Sequence, residues 1–289
     1  MEKGAKSLAD FTPETLPLRC PVCGGTLSRQ ERVWCCPAGH SFDVARQGYV
    51  NLLPSNQKHS RHPGDGLLAV QARRAFLDGG WYAPLAARVA ALAATERPAL
   101  VLDAGCGEGY YLRAVGAAAP AALRVGVDIS REAVRYAAGR DKAGLWLCAS
   151  AAALPLPDAC CDVVLCMFAY AFPAEFARVL RPGGLLVMVT AAEDHLMALR
   201  RVIYPTLRQK EKPVPGTPAG FVPAGEERLE MPFTLTDPAQ IANLLAMTPH
   251  YWRISSQGAA AAAALTQLEE RAAVEIRCYR RAGEESAHG

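Results

Sequence analysis

The chain has 289 residues, about half of them apolar, which is enough for one large domain or for a small domain joined to a larger one. The net charge is +3, but residues 1–77 carry 10 Lys and Arg against 6 Asp and Glu, and the remainder is near neutral. This basic front segment indicates either an anionic partner or a solvated face. The cysteine pattern, with Cys160–Cys161 inside an apolar run, excludes a disulfide framework. With no apolar leader and no long apolar run, the sequence predicts a reduced, cytoplasmic protein with no membrane span.

A cysteine-rich motif, CPVCGGTLSRQERVWCCPAGHSFD, comes first in the chain. Its spacing, C-x2-C-x12-C-x3-H, is typical of a structural zinc site. The four predicted ligands are Cys20, Cys23, Cys36 and His40. Cys35 competes for the third position, and we favour Cys36 because CPAGH repeats the Cys-Pro opening of CPVC. A redox pair or incidental thiols are the alternatives. Because all four positions are filled by protein, the metal would have no open place for a substrate.

The rest of the chain alternates between strand-like and helix-like segments. Residues 54–66 and 211–225 are rich in Pro and Gly and predict loops. Residues 67–94 predict two helices with a Gly-Gly break, and five buried strands with intervening helices follow. HYWRIS and AVEIRCYRR predict two further strands, with a helix through the Ala run between them. The expected fold is therefore α/β, with a doubly wound, mostly parallel, seven-stranded Rossmann-like sheet behind a small N-terminal zinc module.

A glycine-rich turn, DAGCGEG, follows the first strand of this sheet and opens a helix. Gly105 and Gly107 let backbone approach a ligand, and Asp128, at the end of the next strand, can accept from both hydroxyls of a ribose. Asp103 would repel a pyrophosphate but suits the ammonium group of S-adenosylmethionine. A tight turn without a ligand is the alternative.

Further segments resemble the class I S-adenosylmethionine-dependent methyltransferases: LRPGG before the fifth strand and ALPLPDACCDVV before the fourth. Ser150 stands where many members carry an Asp near the adenine. A closer resemblance extends over almost the whole chain. Its segments are CPVC, CPAGHSFDVARQGYVNLLP, KHSRHPGD, QARRAFLDGG, GCGEGYY, HLMAL and MTPHYWR. They resemble the bacterial large-subunit (23S) ribosomal RNA guanine-N1-methyltransferases.

This resemblance implies methyl transfer from S-adenosylmethionine to one guanine N1 in a hairpin of the large ribosomal RNA, and it leaves a homodimer open. It implies a zinc-binding RNA-recognition module at 1–53, a linker and leading helix at 54–80, and a methyltransferase domain at 81–289. It also implies that Tyr82, Tyr111, Leu112 and His195 lie near the cofactor. One departure is Tyr170, which stands where the family tends to carry Pro.

The implied chemistry requires a group that removes the N1 proton or stabilises the charge that develops on O6. No pattern identifies it, and Asp65, Glu193 and His195 are the candidates. Because base pairing hides N1, the guanine must be unpaired or flipped, and Tyr170, Phe172 and Trp252 are candidates to stack on it.

Two basic segments are predicted to hold RNA phosphates. One is the zinc module, with Arg19, Arg29 and Arg32. The other follows the fifth strand and carries Arg200, Arg201, Arg208 and Lys210. Two rival hypotheses remain: a small-molecule methyltransferase with a stabilising zinc module, and a non-catalytic RNA-binding protein.

Overall fold

The computed structural model describes residues 11–54, 64–206 and 216–283. An N-terminal sheet comes first, in which each strand is antiparallel to the next. Its strands are β1 (Leu18–Arg19), β2 (Thr26–Gln30), β3 (Val33–Cys35) and β4 (Ser41–Asp43). The predicted strand in RVWC is β3.

A second, larger sheet forms the centre of the molecule. Its strands are β5 (Tyr49–Asn51), β6 (Leu100–Ala104), β7 (Leu123–Asp128), β8 (Leu145–Cys148), β9 (Cys161–Met167), β10 (Leu180–Ala191), β11 (Phe221–Leu235) and β12 (Leu268–Arg281). Their order is β11-β12-β10-β9-β6-β7-β8-β5. The strands from β5 to β10 run parallel, and β12 is antiparallel to both of its neighbours. The expected fold class is confirmed, and β5 adds an eighth strand to the expected seven.

Helices cover the sheet. They are α1 (Leu67–Asp78), α2 (Ala83–Thr95), α3 (Tyr110–Ala118), α4 (Arg131–Arg140), α5 (Pro173–Val179), α6 (Met197–Ile203), α7 (Pro238–Ala246) and α8 (Ser256–Ala263). Every residue of β6, β8 and β9 is buried, as expected for parallel strands covered on both faces. In the described part of the chain, no helix has the length and apolar character that a membrane crossing requires.

The zinc module packs against one face of the sheet and shares its core. Leu18, Leu27 and Trp34 of the module belong to the same buried cluster as Leu102 and Leu147 of the sheet. The backbone also joins them, because β5 pairs with β8. The 1–53 segment therefore contributes an edge strand to the large sheet as well as a module of its own. The domain boundaries remain a prediction.

Two local expectations are wrong. HYWRIS was expected to be a strand, but a 3-10 turn over Pro249–Trp252 occupies its start. Residues 211–225 were expected to be a loop, but β11 begins at Phe221; residues 211–215 lie outside the described part. Pro223 and Gly225 disguise this strand in the sequence. They are tolerated because β11 is an edge strand, where an N–H of the outer side needs no partner.

Candidate cofactor and metal sites

Two knuckle-like turns bring the predicted zinc ligands together. The first follows β1 and the second follows β3, and each contains a glycine with positive φ, Gly24 at 73° and Gly39 at 84°. One ligand atom from each of Cys20, Cys23, Cys36 and His40 lies within 4.8 Å of all the others. Cys35 is outside this cluster, on β3.

The distances within the cluster suit a tetrahedral metal. Cys23 Sγ lies 3.7 Å from Cys36 Sγ, and His40 Nδ1 lies 3.7 Å from Cys20 Sγ and 3.3 Å from Cys36 Sγ. Thiolates bound to zinc at about 2.3 Å in a tetrahedron are separated by roughly 3.7 Å. Burial opposes ionisation of Cys36, but hydrogen bonds from His40 and Cys23 outweigh it and lower the pKa of Cys36 to about 6. The donor set therefore fits zinc, with every position filled by protein.

A large cavity of about 1320 Å³ opens at the carboxyl ends of β6, β7, β9 and β10. This edge is where ligands bind in open α/β sheets. Nine residues were predicted to contact the cofactor, and all but Asp103 and Leu112 line this cavity. The seven are Tyr82, Gly105, Gly107, Tyr111, Asp128, Ser150 and His195. Leu112 is fully buried in the core.

Asp103 lies at the end of β6, directly before the glycine turn, and is completely buried. Neither of its carboxylate oxygens has a hydrogen-bond partner among the described residues. Burial, with a contribution from the nearby charge of Asp128, raises the pKa of Asp103 to about 8. A buried carboxyl without a donor is costly, and an ammonium group from a ligand would supply both the donors and the compensating charge. This observation fits the amino acid end of S-adenosylmethionine.

Asp128 holds the glycine turn in shape. One carboxylate oxygen accepts from the Gly107 amide at 2.8 Å, and the other accepts from the Ser130 amide at 2.8 Å. Desolvation raises the pKa of Asp128 although both hydrogen bonds oppose the rise. Each carboxylate oxygen accepts more than one hydrogen bond, so Asp128 retains capacity for two ribose hydroxyls.

Gly105 shows why this turn requires glycine. Its φ is +92°, and an added Cβ would lie 2.6 Å from the Cβ of Ala169, in the segment that follows β9. A side chain would therefore strain the turn and push apart two walls of the cavity.

His195 and Tyr82 form a linked pair at another wall. His195 Nδ1 lies 2.8 Å from the Ala273 carbonyl, which can only accept, so Nδ1 carries the proton. His195 Nε2 is then the acceptor for the Tyr82 hydroxyl, 3.3 Å away. Burial, with a smaller effect of Glu270, raises the pKa of Tyr82, which keeps its hydroxyl protonated.

Phe168 is a cavity residue that the sequence interpretation missed. It follows β9 with a φ of 53°, which is rare for an aromatic residue and typical of functional sites. Its ring centroid lies 6.3 Å from that of Tyr82, 6.5 Å from that of Tyr111 and 6.2 Å from that of His195. Its position just after a strand that ends at this edge could have identified it.

The other two candidates for the catalytic base also border the cavity. Asp65 forms an ion pair with Arg73 at 2.6 Å. Glu193 is exposed, and its backbone carbonyl accepts from Arg200 at 2.7 Å.

Sequence comparisons match both parts of the chain. Residues 18–61 match the zinc-ribbon family described as the N-terminal part of RlmA, and residues 102–188 match a methyltransferase domain. A Streptomyces fradiae protein named 23S rRNA (guanine(748)-N(1))-methyltransferase is 37% identical over 81% of this chain and 85% of its own. The chain belongs to the 23S rRNA (guanine-N1)-methyltransferase family.

Two further relatives bear names of the same family. One, from Micromonospora griseorubida, is 42% identical over 65% of this chain and 70% of its own. Another, from Bacillus subtilis, is 33% identical over 64% and 68%. Membership confirms the expected cofactors of the family, S-adenosylmethionine and structural zinc. The assignment of individual residues to them remains a prediction.

Proposed function

We propose that the protein transfers a methyl group from S-adenosylmethionine to N1 of one guanine in a hairpin of large-subunit ribosomal RNA, in the cytoplasm. The observation that carries this proposal is one cavity, lined by the glycine turn and Asp128 above the buried Asp103, in a chain that also carries the zinc ribbon of its family. The residues of this cavity suit a nucleoside with an ammonium group, and the ribbon favours RNA over a small molecule.

In this proposal, Asp103 receives the ammonium group of the cofactor, Asp128 accepts from its ribose hydroxyls, and Ser150 borders the adenine. S-adenosylmethionine supplies an electrophilic methyl group, so the remaining task of the chain is to align guanine N1 with it and to take the N1 proton. Alignment alone converts a bimolecular step into an effectively unimolecular one. The buried side chains of Tyr82 and Tyr111 form an apolar wall that excludes water from this position.

Of the three candidate bases, His195 has the most suitable geometry. Its Nδ1 proton is held by the Ala273 carbonyl, so Nε2 is the acceptor nitrogen. Nε2 accepts from the Tyr82 hydroxyl, and this hydrogen bond must open before Nε2 takes the N1 proton. A neutral imidazole accepts a proton near neutral pH. The Asp65 carboxylate is instead engaged in the ion pair with Arg73.

The three arginines of the zinc module that are proposed to contact RNA also make contacts within the protein. Arg29 pairs with Glu14 at 3.4 Å, Arg19 lies 3.7 Å from Asp158, and Arg32 donates to the Val44 and Ala45 carbonyls. A guanidinium has five N–H donors, so each retains donors for phosphate. Arg208 and Lys210 lie outside the described residues.

Methyl transfer to ribosomal RNA tests the proposal. The full chain is incubated with unmodified 23S ribosomal RNA and S-adenosylmethionine tritiated on its methyl group, and the RNA is digested to nucleosides. We expect label in 1-methylguanosine. At a cofactor concentration below the wild-type Kd, we expect about tenfold less label or lower with Asp128→Ala, because that variant loses at least tenfold in cofactor affinity. Label in another nucleoside, or in small-molecule acceptors alone, would contradict the proposal.

The homodimer suggested by the family resemblance is a separate proposal. Sedimentation equilibrium of the full chain tests it: a mass twice that of the 30.9 kDa chain is expected, and a monomer mass at all concentrations would exclude it.

A further inference from the structure

Large apolar side chains are exposed around the mouth of the cavity. In the described part of the chain, seven are exposed. Five of the seven belong to segments that border this cavity: Leu67, Leu68, Phe168, Tyr170 and Trp252. Scattered exposed apolar residues are ordinary, but a concentration around one opening marks a binding surface.

Tyr170 forms one side of this rim. It lines the cavity, yet 89% of it is exposed, so its ring rests on almost nothing in the protein. The backbone below it is anchored, because the Cys166 thiol donates to the Tyr170 carbonyl at 3.8 Å. The Tyr170 ring is therefore solvent-exposed, while its backbone is held in place.

Trp252 lies on the 3-10 turn, which borders the opening. It is 71% exposed, and Pro249, His250 and Arg253 around it line the cavity. The turn is held by the Tyr204 hydroxyl, which lies 2.8 Å from His250 Nδ1. The Trp252 and Tyr251 rings lie edge to face, with their centroids 5.1 Å apart.

Cations accompany the aromatic rings. Arg253 and Arg201 are exposed, and within the described residues neither guanidinium takes part in an ion pair or side-chain hydrogen bond given by the structure. Arg253 lines the catalytic cavity, and Arg201 lines a smaller depression beside it. Aromatic rings for base faces and free guanidinium groups for phosphates are the combination that binds single-stranded nucleic acid.

We propose that Tyr170 and Trp252 form a stacking rim for unpaired RNA bases, with one loop nucleotide on each side of the target guanine, while Phe168 faces that guanine inside the cavity. This inference rests on the proposed function. The occupant is single-stranded loop RNA, because guanine N1 is accessible only outside a base pair and because every base presents a face to an aromatic ring. The cavity lining also includes charged residues, Asp65 and Glu193 among them, whereas the core of a protein interface is depleted in charged residues.

A double-mutant cycle between protein and RNA tests this rim. The probe is an RNA hairpin with one unpaired loop guanine. The comparison RNA is the same hairpin with abasic sugars on both sides of that guanine. Both keep every phosphate. Each of Tyr170→Ala and Trp252→Ala should weaken binding of the first hairpin by between about 5-fold and about 150-fold. Neither variant should weaken binding of the abasic hairpin, because the stacked bases are already missing.

Two controls separate stacking from loss of structure. Trp252→Phe keeps an aromatic face and should recover most of the lost affinity. Val222→Ala removes an exposed apolar side chain from β11, away from the cavity lining, and should bind both hairpins like the wild type. Cofactor affinity, measured by calorimetry, should be unchanged in all four variants.

Trp252 also offers a direct signal. Of the four tryptophans, Trp34 and Trp146 are buried and Trp81 is half-buried, which leaves Trp252 as the exposed one. The intact hairpin should protect its fluorescence from acrylamide, and the abasic hairpin should not. Equal losses of affinity for both hairpins, or a change of oligomeric state in Trp252→Ala, would overturn the rim. If the wild type binds the hairpin in this base-dependent way but methylates no ribosomal RNA, the proposed function fails and the stacking surface stands.

Discussion

At the scale of single residues, Asp103 is the most unusual group in the protein. It is fully buried, both of its oxygens lack partners in the described structure, and its pKa is raised to about 8. A carboxyl whose pKa rises on folding takes up a proton in the folded state, so between about pH 4 and about pH 8 it makes the cofactor-free protein less stable as the pH rises.

Cofactor binding should therefore release a proton. At pH 7 the free carboxyl is mostly protonated, and an ammonium group beside it restores the charged form. We expect close to one proton to be released per S-adenosylmethionine bound, and cofactor affinity to rise with pH up to about 8. Calorimetry in two buffers with different ionisation enthalpies measures the release.

Asp103→Asn is the matched variant for this measurement. It should bind the cofactor more weakly, release no proton, and be more stable than the wild type at pH 8 without cofactor. Equal proton release by the two proteins would show that Asp103 does not meet the ammonium group.

The choice between adjacent cysteines is also a question at the residue scale. Cys36 lies in the cluster with His40, and Cys35 lies on β3 outside it. Cys36→Ser should lose most of its zinc by elemental analysis, whereas Cys35→Ser should retain about one zinc per chain, because its side chain is not among the ligand atoms. Loss of metal from Cys35→Ser alone would reverse the assignment.

At the scale of elements, the sequence predicted what regular burial and local turn chemistry determine. Continuous apolar runs identified β6, β7, β8 and β9, and the cysteine spacing identified the knuckles. Other features depend on tertiary pairing that no local pattern records. The three-residue strand β5 exists because β8 offers it a free edge, and β11 carries mostly exposed side chains, so neither has a clear apolar pattern.

The cofactor turn could be predicted from the sequence, but much of the substrate side of the site could not. Asp103, Gly107 and Asp128 follow one another in a compact motif, so their meeting was predictable. Arg73 and Arg253 come from segments far apart in the chain, and only the fold brings them to one opening.

β5 gives a test of how far the N-terminal module depends on the sheet. Val50, its central residue, is buried, whereas Asn51 is exposed and its Oδ1 accepts from Leu53 N at 3.2 Å. Val50→Asp buries an unpaired charge and should lower the free energy of unfolding by roughly 3–5 kcal/mol. Asn51→Asp keeps the acceptor and should change it by less than about 0.5 kcal/mol. Urea unfolding of the full chain measures both, and equal stabilities would mean that β5 adds little to the sheet.

At the scale of the whole molecule, the proposed function requires the RNA to contact both the catalytic cavity and the zinc module. If Arg29 and Arg32 each contact a phosphate, replacing both with Ala should reduce the slope of log affinity against log salt by between about 1.4 and about 1.8. Cofactor affinity should not change. Filter binding of the hairpin at several salt concentrations measures the slope.

Arg88 supplies the control for charge alone. It pairs with Glu227 on β11 and does not line the cavity, so Arg88→Ala should leave the salt slope as in the wild type. A wild-type slope in the Arg29→Ala, Arg32→Ala protein would mean that the module does not hold RNA through these arginines.

The pairing of β5 with β8 also affects how the protein folds during its synthesis. Tyr49 pairs with Trp146, which leaves the ribosome 97 residues later. Until β8 has been synthesised, part of the apolar surface of the module stays exposed, and nascent intermediates of this kind are prone to aggregate. A bound metal can keep so small a unit folded alone. Chelating zinc during cell-free translation should therefore reduce the yield of native protein more than chelating it after folding. Equal losses of native protein in the two experiments would mean that zinc does not stabilise the module during synthesis.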